Sequence, residues 1–484
     1  MRLRRDLRYT VEPGDNTKVV RFHDFQDQEH TCQVTDYSRT GVAFVMEDGS
    51  LIFKIGDVIS ELRFYSLDNE VHKGSATIVH IQDDEKWDNV ISRVGCTFIG
   101  ELMDVYSIIK VDKLSKLQNE FLDFIQSMAI EESLDPEFIN LTSHLHYILG
   151  GFKERLDQEE KDIQEEDDGL KPALLETLRD LAFESLYEEL NRYYDHFTKI
   201  VGRFTDPKQH FIHKEFFQKK LNGLFIKSNL FQRAYTKPLG YAGDFEMMNL
   251  IYRNQFEGDS IFSRVMNKID CEGSGARAVR NRRSFLYEKI GSLVMSSHNN
   301  TAIKIVSVAC GPIWEFYDFV SSLGEKDLPT KIQFLGIDQD KDALQNARTR
   351  IDPLIAKRDD IDVHYVEENI KRLIVDKDEA NSLYTESDLI YSAGLFDYLS
   401  ERASNRLIHK LYTFLNPGGT LIVGNFGPYN PQRFIMDYGS EWFLLYRSEE
   451  DLKALASGLP EDVSIAVERE PEGINLFLII KKNY

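Results

Sequence analysis

The sequence is 484 residues long and 42% hydrophobic, with 80 acidic residues against 58 basic ones and a formal net charge of −22. At roughly 100–200 residues per domain this is chain for two to four domains, each with its own core, which excludes a largely disordered protein. The acidic balance repels phosphate backbones and no compensating basic groove is legible, so a small molecule or a protein is expected as partner and nucleic acid is not.

The chain has four cysteines, Cys32, Cys96, Cys271 and Cys310, spaced too widely for a zinc-ligand pattern or a disulfide framework, so no metal site is expected. No apolar run approaches the roughly 20 residues that span a bilayer, and the N-terminus lacks the apolar segment of a signal peptide. A cytoplasmic protein without a transmembrane segment is the expectation.

Residues 1–113 contain short alternating runs, among them "TCQVTDY", "GVAFVM", "GSATIVHI" and "SRVGCTFIG", divided by Gly, Asn and Asp turns. Period-two alternation with frequent turns predicts a small β-barrel or sandwich. Over 114–204 the period becomes helical, in "LQNEFLDFIQSMAI" and "ALLETLRDLAFESLYEELNRYYDHFTKIV". An acidic stretch near 156–172 between them reads as a solvated linker or as a solvent-facing helix. A further helical segment, 205–300, carries the string "AYTKPLGYAGDFEMMNLIY", and over 301–484 strands and helices alternate before a closing strand pair, "VSIAVERE" and "INLFLII".

The first residues concentrate Arg2, Arg4, Arg5 and Arg8, and the turn "DYSRTG" follows with Asp36, Ser38 and Gly41. Guanidinium groups grip phosphate oxygens in pairs and stack on or pair with guanine. Asp36 adds an acceptor, Ser38 a small hydroxyl, and Gly41 a backbone conformation that other residues resist. Alone, each element also reads as a basic tail or an ordinary turn. Together, Arg4 and Arg8 followed by Asp36, Ser38 and Gly41 resemble the PilZ domain, a bacterial receptor for cyclic di-GMP. The resemblance implies a β-barrel that binds cyclic di-GMP through Arg4, Arg5, Arg8, Asp36, Ser38 and Gly41, or a barrel of that kind that no longer binds the nucleotide.

In "IVSVACGPIWEF" a buried strand leads into the small and turn-forming residues Ala309, Cys310, Gly311 and Pro312, where a cofactor can approach the backbone. One strand later Asp338 ends "FLGID", placed to accept hydrogen bonds from ribose hydroxyls. That combination also suits a dinucleotide, although the turn is not GxGxxG and the chain ends in a strand pair. The order of segments from 301 onward resembles class I S-adenosylmethionine-dependent methyltransferases, with a Rossmann-like α/β fold. In the first motif Ser307 stands where many relatives carry an acid, and Ala309 and Ile313 stand at glycine positions; Glu315 or Asp388 is expected to supply the missing acid. The resemblance implies a cofactor site of Ala309, Gly311, Glu315, Asp338, Gln339, Glu368, Asn369, Ile370, Ser392, Ala393 and Gly394. It sets Asp397 and Tyr398 facing the reacting methyl as candidate catalytic residues; the same two also read as a helix N-terminal carboxylate and a core tyrosine.

An amine or alcohol acceptor must lose a proton and calls for a base, whereas a carboxylate is already ionised at neutral pH. With His364 and His409 as the histidines of this region and no NPPY-like signature, a carboxylate acceptor is the economical choice. "KPLGYAGDFEMMNLIY", "SAGLFDYLS" and "GNFGPYNPQRFIMDYGSEWFLLYRSEEDL" resemble bacterial methyltransferases assigned to biosynthesis of 3-hydroxypalmitic acid methyl ester. This implies carboxyl O-methylation of a 3-hydroxy fatty acid, with Tyr241, Asp244, Arg283, Tyr391, Asn425 and Arg447 lining the acceptor site; for "GYAGDF" a Gly-bearing turn opening a core helix is the other reading. The combined expectation is a methyltransferase regulated by cyclic di-GMP through the helical middle, and aromatic-rich helices leave room for a homodimer. Its rivals are a protein carboxyl methyltransferase and an inactive, nucleotide-responsive module that binds a partner.

Overall fold

Alternating burial builds the N-terminal strands. The computed structural model describes residues 7–483 apart from 12–15, 25–26, 48–52, 68, 85–90, 101, 107, 111, 119–120, 122–132, 298–301, 325, 327 and 371–382. Its first strands are β1 (Tyr9–Thr10), β2 (Lys18–His23), β3 (Glu29–Ser38), β4 (Gly41–Glu47), β5 (Val58–Ser66), β6 (Asn69–Asp84) and β7 (Ile91–Ile99). They pair in the order β1-β3-β2-β5-β6-β7-β4, and an additional β3–β4 pairing joins the ends, so β2 to β7 close a six-stranded barrel. Inward residues of alternate register, including Val20, Phe22, Val34, Phe44, Phe64 and Val94, fill it.

Gly41 departs from the sequence-based reason for its choice. It is not among the glycines with positive φ. Instead β4 and β7 pair closely here, with Gly41 opposite Thr97, and a Cβ on Gly41 would lie 2.2 Å from the Cys96 carbonyl oxygen. Close approach, not an unusual dihedral, demands the glycine.

Contacts divide the chain into two compact units, 1–132 and 133–484. The second unit holds both the helical middle and the mixed sheet, so the helices of 136–296 belong to the same body as the strands that follow them. These helices are α1 (Pro136–Ile163), α2 (Lys171–Val201), α3 (Pro207–Phe225), α4 (Asn229–Thr236), α5 (Phe245–Arg253), α6 (Ile261–Cys271) and α7 (Ser274–Ser296). The acidic stretch near 156–172 is mostly the end of α1, where Leu156 is buried, and the start of α2. Only a short turn, 164–170, separates the two helices. Asp135 caps α1, accepting from the Glu137 and Phe138 amides at 2.8 and 3.1 Å. Phe138, Leu186, Phe197 and Phe217 pack where these helices meet.

The sheet comprises β8 (Ile303–Val308), β9 (Ile332–Asp338), β10 (Ile361–Glu367), β11 (Ser387–Ser392), β12 (Leu415–Phe426), β13 (Ser464–Arg469) and β14 (Asn475–Lys481). Its order is β10-β9-β8-β11-β12-β14-β13, parallel except that β14 runs antiparallel to both neighbours. The order reverses between β8 and β11, and ligands of open α/β sheets bind at such a switch point, beyond the strand C-termini. Helix α7 docks on the sheet through Phe285, whose ring stacks on Phe477 at 3.9 Å. Among the described residues no helix is long and apolar enough to cross a membrane.

Gly41→Ala is expected to destabilise the barrel by about 2 kcal/mol or more, because the added methyl meets backbone rather than a flexible side chain. Amide exchange over β4 and β7 measures this; unchanged protection there would mean the strands part at little cost.

Candidate functional site

The turn after β8 holds residues in the left-handed region at every second position: Ala309 at φ 51°, Gly311 at 53° and Ile313 at 51°. Such dihedrals are costly for an alanine and more so for a β-branched isoleucine. They persist because the turn is pinned. The Cys310 amide donates to the Ile337 carbonyl at 2.9 Å and the Gly311 amide to Asp338 Oδ2 at 2.8 Å. Ile313 is fully buried and fits because β9 carries Gly336, where a Cβ would lie 2.7 Å from Ile313 Cδ1. The left-handed backbone is therefore adopted at two positions where glycine is absent. Around Gly311 there is open space, with no atom within 4 Å of where a Cβ would be.

That space is a cavity of about 380 Å³. Ala309, Gly311 and Glu315 border it from the β8 turn, Asp338 and Gln339 from β9, and Asn369 and Ile370 from beyond β10. Ala393, Gly394, Asp397 and Tyr398 border it from beyond β11, and Tyr241 from the helical layer. Burial raises the Asp338 carboxyl above its usual range, against the amides of Asp340 and Gly311 that stabilise its charge. Glu315 is raised for the same reason, and Tyr391 donates to its Oε1 at 2.6 Å. Asp397 is 3% exposed, and burial pushes its pKa up to about 7 although the Phe426 amide donates to Oδ1 at 2.7 Å. The Tyr398 hydroxyl accepts from Trp442 Nε1 at 2.8 Å, and a Cβ on Gly243 would come within 2.6 Å of that hydroxyl. This close approach accounts for a glycine in "GYAGDF".

Other expected residues stand away from the wall. Glu368 faces an adjacent cleft together with Asn369 and Tyr241. Ser392 is buried with an unpartnered hydroxyl, and Tyr391 lies behind Glu315. Asp244 caps α5, accepting from Met247 N at 2.9 Å, and is gripped by Arg233 Nε at 2.7 and 2.9 Å. Arg283 pairs with Asp318 and lies over the Trp314 ring. Arg447 donates to the Phe396 and Leu399 carbonyls and to Asn425, whose amide donates to the Phe426 and Leu445 carbonyls at 2.9 Å. These two side chains satisfy loop backbone instead of meeting an acceptor. Asp388 accepts from Lys304 N and Asn416, at the N-terminal edge of the sheet, so it does not replace the missing acid.

Sequence reasoning missed Arg282. It is 6% exposed, borders the cavity, and donates through Nη1 to the Ala393 carbonyl at 3.1 Å, while its Nε has no hydrogen-bond partner. Its signal was available: the buried face of α7 runs Ala278, Val279, Arg282, Leu286, Ile290, Val294, an apolar stripe interrupted by one cation.

In the barrel, Asp36 is 3% exposed and carries two guanidinium groups. Arg8 Nη1 donates to Oδ1 at 3.0 Å and Arg93 pairs with Oδ2, while Arg93 Nε donates to Thr35 Oγ1 at 3.1 Å. The Arg8 and Arg93 side chains are 63% and 42% exposed. Ser38 Oγ accepts from the Thr40 amide at 3.2 Å, which shapes the turn. Arg93 was not anticipated; Arg4 and Arg5 lie outside the described residues.

Residues 3–109 match the PilZ domain, and residues 238–457 match the family described as "Putative methyltransferase". The chain joins a PilZ domain to a methyltransferase-family domain. Solved structures similar to it include magnesium protoporphyrin IX methyltransferase from Synechocystis PCC 6803 with bound SAH. That protein is 12% identical, with TM-score 0.35, over 52% of this chain and 97% of its own. The plantazolicin methyltransferase BpumL with SAH is 12% identical, TM-score 0.33, over 55% and 99%. The N-methyltransferase NodS from Bradyrhizobium japonicum WM9 is 13% identical, TM-score 0.28, over 42% and 97%. No curated protein matches the sequence.

Two outcomes follow from the methyltransferase-domain geometry. Ala309→Gly is expected to stabilise the fold by about 1 kcal/mol, since the left-handed backbone is already in place; a lowered denaturation midpoint would contradict this. Asp397 titrates near 7 when folded and near 3.8 when not. The unfolded chain thus loses its proton first, and stability falls as pH rises from about 4 to about 7. Asp397→Asn keeps the acceptor for the Phe426 amide, so its advantage over the parent is expected to grow across that window by up to about 4 kcal/mol. Equal differences in denaturation midpoint at pH 5 and pH 8 would refute it.

Proposed function

We propose that the chain is an S-adenosylmethionine-dependent methyltransferase that esterifies a small carboxylate, a 3-hydroxy fatty acid by family resemblance, under control of cyclic di-GMP bound to its PilZ domain. Arg282 carries the choice of acceptor. Its guanidinium donates through Nη1 to the Ala393 carbonyl and through Nη2 to Met248 Sδ, and leaves Nε unpartnered. It is the one cation among the described residues bordering the cavity, beside the carboxyls of Glu315, Asp338 and Asp397, and a buried cation so placed supports an anionic acceptor.

The open backbone at Gly311 and the carboxylate of Asp338 fit the cofactor. Asp338 would hold its ribose and Asn369, Ile370 and Gln339 its adenine, with Glu368 at the edge, and Ala309, Ala393 and Gly394 would lie beneath its methionine part. When bound it supplies an electrophilic methyl group. Arg282 orients the acceptor carboxylate beside Ala393 and Gly394. Trp442 and Leu444 cover the cavity and exclude water, so positioning does much of the work. An ionised carboxylate needs no base. Burial raises the Asp397 carboxyl to about 7, which lessens its repulsion of the acceptor, and Tyr241 and Tyr398 stand at the rim.

In the PilZ domain, Asp36 fixes Arg8 and Arg93 side by side with exposed guanidinium edges, an arrangement suited to a phosphodiester. For the nucleotide to regulate transfer, it must bind the active and inactive arrangements with different affinity.

The test incubates the protein with S-adenosylmethionine and a panel of 3-hydroxy and plain fatty acids, with and without cyclic di-GMP, and reads methyl esters by mass spectrometry. Esters whose yield depends on the nucleotide are expected; cofactor binding without any ester would turn attention to protein carboxylates. Arg282→Ala is expected to raise the acceptor KM at least tenfold, with less effect on cofactor affinity. Arg8→Ala is expected to weaken cyclic di-GMP about tenfold or more in calorimetry, from loss of a charged hydrogen bond; undiminished affinity would remove Arg8 from the site.

A further inference from the structure

A second, smaller cavity of about 60 Å³ adjoins the first, sharing Val279, Phe426 and Trp442 with it. Leu230, Ala234, Ile251, Ala276 and Ile435 give it an apolar lining. Helix α7 connects the two. Arg282 faces the first cavity, Val279 stands one turn earlier at the shared wall, and Ala276 and Gly275, one turn earlier again, face the second. Residues three or four apart share a helix face, and seven residues at 1.5 Å rise place the cation and Gly275 about 10 Å apart along it. The small side chains at 275 and 276 leave the space open.

Resting on the carboxylate reading above, we infer that the second cavity takes the tail of the acceptor: an unbranched alkyl chain whose carboxylate is held by Arg282 passes Val279 and Phe426 and ends beside Ala276. At roughly 10–15 Å³ per water-sized group, the cavity has space for about four to six heavy atoms. Its polar groups set the far limit. Gln432 accepts from the Gly275 amide at 3.1 Å and Ser440 donates to the Met436 carbonyl at 3.0 Å, so both are occupied. Asp270 Oδ2 has no hydrogen-bond partner, and burial pushes its pKa up to about 7. That oxygen is already closed off from solvent, so the cavity ends there against packed atoms and a longer chain has no further space to enter. The enzyme therefore measures acyl length between Arg282 and Asp270.

The test uses the full chain loaded with S-adenosylmethionine and a series of straight-chain acids from butyrate to palmitate, with affinity read by calorimetry and kcat/KM by ester formation. Affinity is expected to rise roughly fourfold for each methylene that enters the tail cavity and then to level or fall. Ala276→Leu is expected to lower the ratio of long-chain to short-chain kcat/KM at least tenfold. Gly275→Ala serves as the milder variant, because its added methyl meets Gln432 and Met436 atoms at 3.5 and 3.8 Å, ordinary contacts that leave the fold intact. Acids that bind without dependence on chain length, or ratios unchanged in both variants, overturn the tail site and leave the carboxylate reading standing. No acid of any length binding to protein that still binds the cofactor overturns both.

Discussion

Burying a guanidinium is the constraint on which the second unit turns. A cation 6% exposed needs acceptors and neighbouring negative charge, or its desolvation cost falls on the whole fold. Arg282 finds an acceptor at the Ala393 carbonyl, at the tip of β11, and two carboxyl neighbours, Glu315 and Asp397, whose ionised forms it favours against the larger opposing effect of burial. Those groups lie in the segments that follow β8 and β11, Glu315 in the helix Trp314–Leu323 and Ala393 and Asp397 just beyond β11, whereas Arg282 belongs to the helical layer, so pairing them fixes how α7 lies across the strand tips. The Phe285–Phe477 stack fixes the same helix farther along. With α7 held at both points, the cavity has a rigid roof.

Much of this was legible because the relevant signals are local. Strand alternation gives the barrel, and Gly311 and Asp338 occupy strand tips, where ligand-binding residues of such sheets gather. What failed depends on phase and on distance. "RNRR" offers three arginines, and choosing among them requires the helical phase of a stripe whose apolar members extend from Ala278 to Val294. Arg283, chosen instead, points away to Asp318. Asn425 and Arg447 have the polarity of ligand-binding groups, but their partners are carbonyls of a loop whose path no local pattern discloses. Reading Gly41 as conformational freedom failed for a similar reason: the atom it avoids, the Cys96 carbonyl oxygen, is far away in sequence.

The turn after β8 shows the opposite error. By composition it had lost two glycines and with them its shape. By geometry the turn takes the left-handed backbone that glycine favours, and the cost at Ala309 and Ile313 is offset by pairing with Ile337 and Asp338 and by the room that Gly336 makes. Strain of this kind persists where the surroundings over-determine it, commonly at a functional turn. A motif defined by residue identity does not disclose the backbone conformation that the turn adopts.

The segment after β12 links the helical layer to the cavity. Trp442 and Leu444 line the cavity, and the residues just before them are held from the helices: Tyr438 by His210 at 2.8 Å, Glu441 by Lys214 at 2.7 Å, and the Tyr438 carbonyl by Gln218 at 2.8 Å. Thr198 of α2 donates to the Pro431 carbonyl at 3.0 Å, and Glu160 of α1 accepts from the Ile261 amide at 3.0 Å. A displacement of α1, α2 or α3 therefore has to move the cavity cover or break these contacts. Helices α1 to α3 also come first in the unit, directly after the residues that follow the PilZ barrel. Coupling needs an element with two arrangements that both sites bias. The 430–447 segment, anchored on one side by helices and on the other by Asn425 and Arg447, has the connectivity for that role, and under the proposed function control through it would reach the cavity at Trp442 and Leu444.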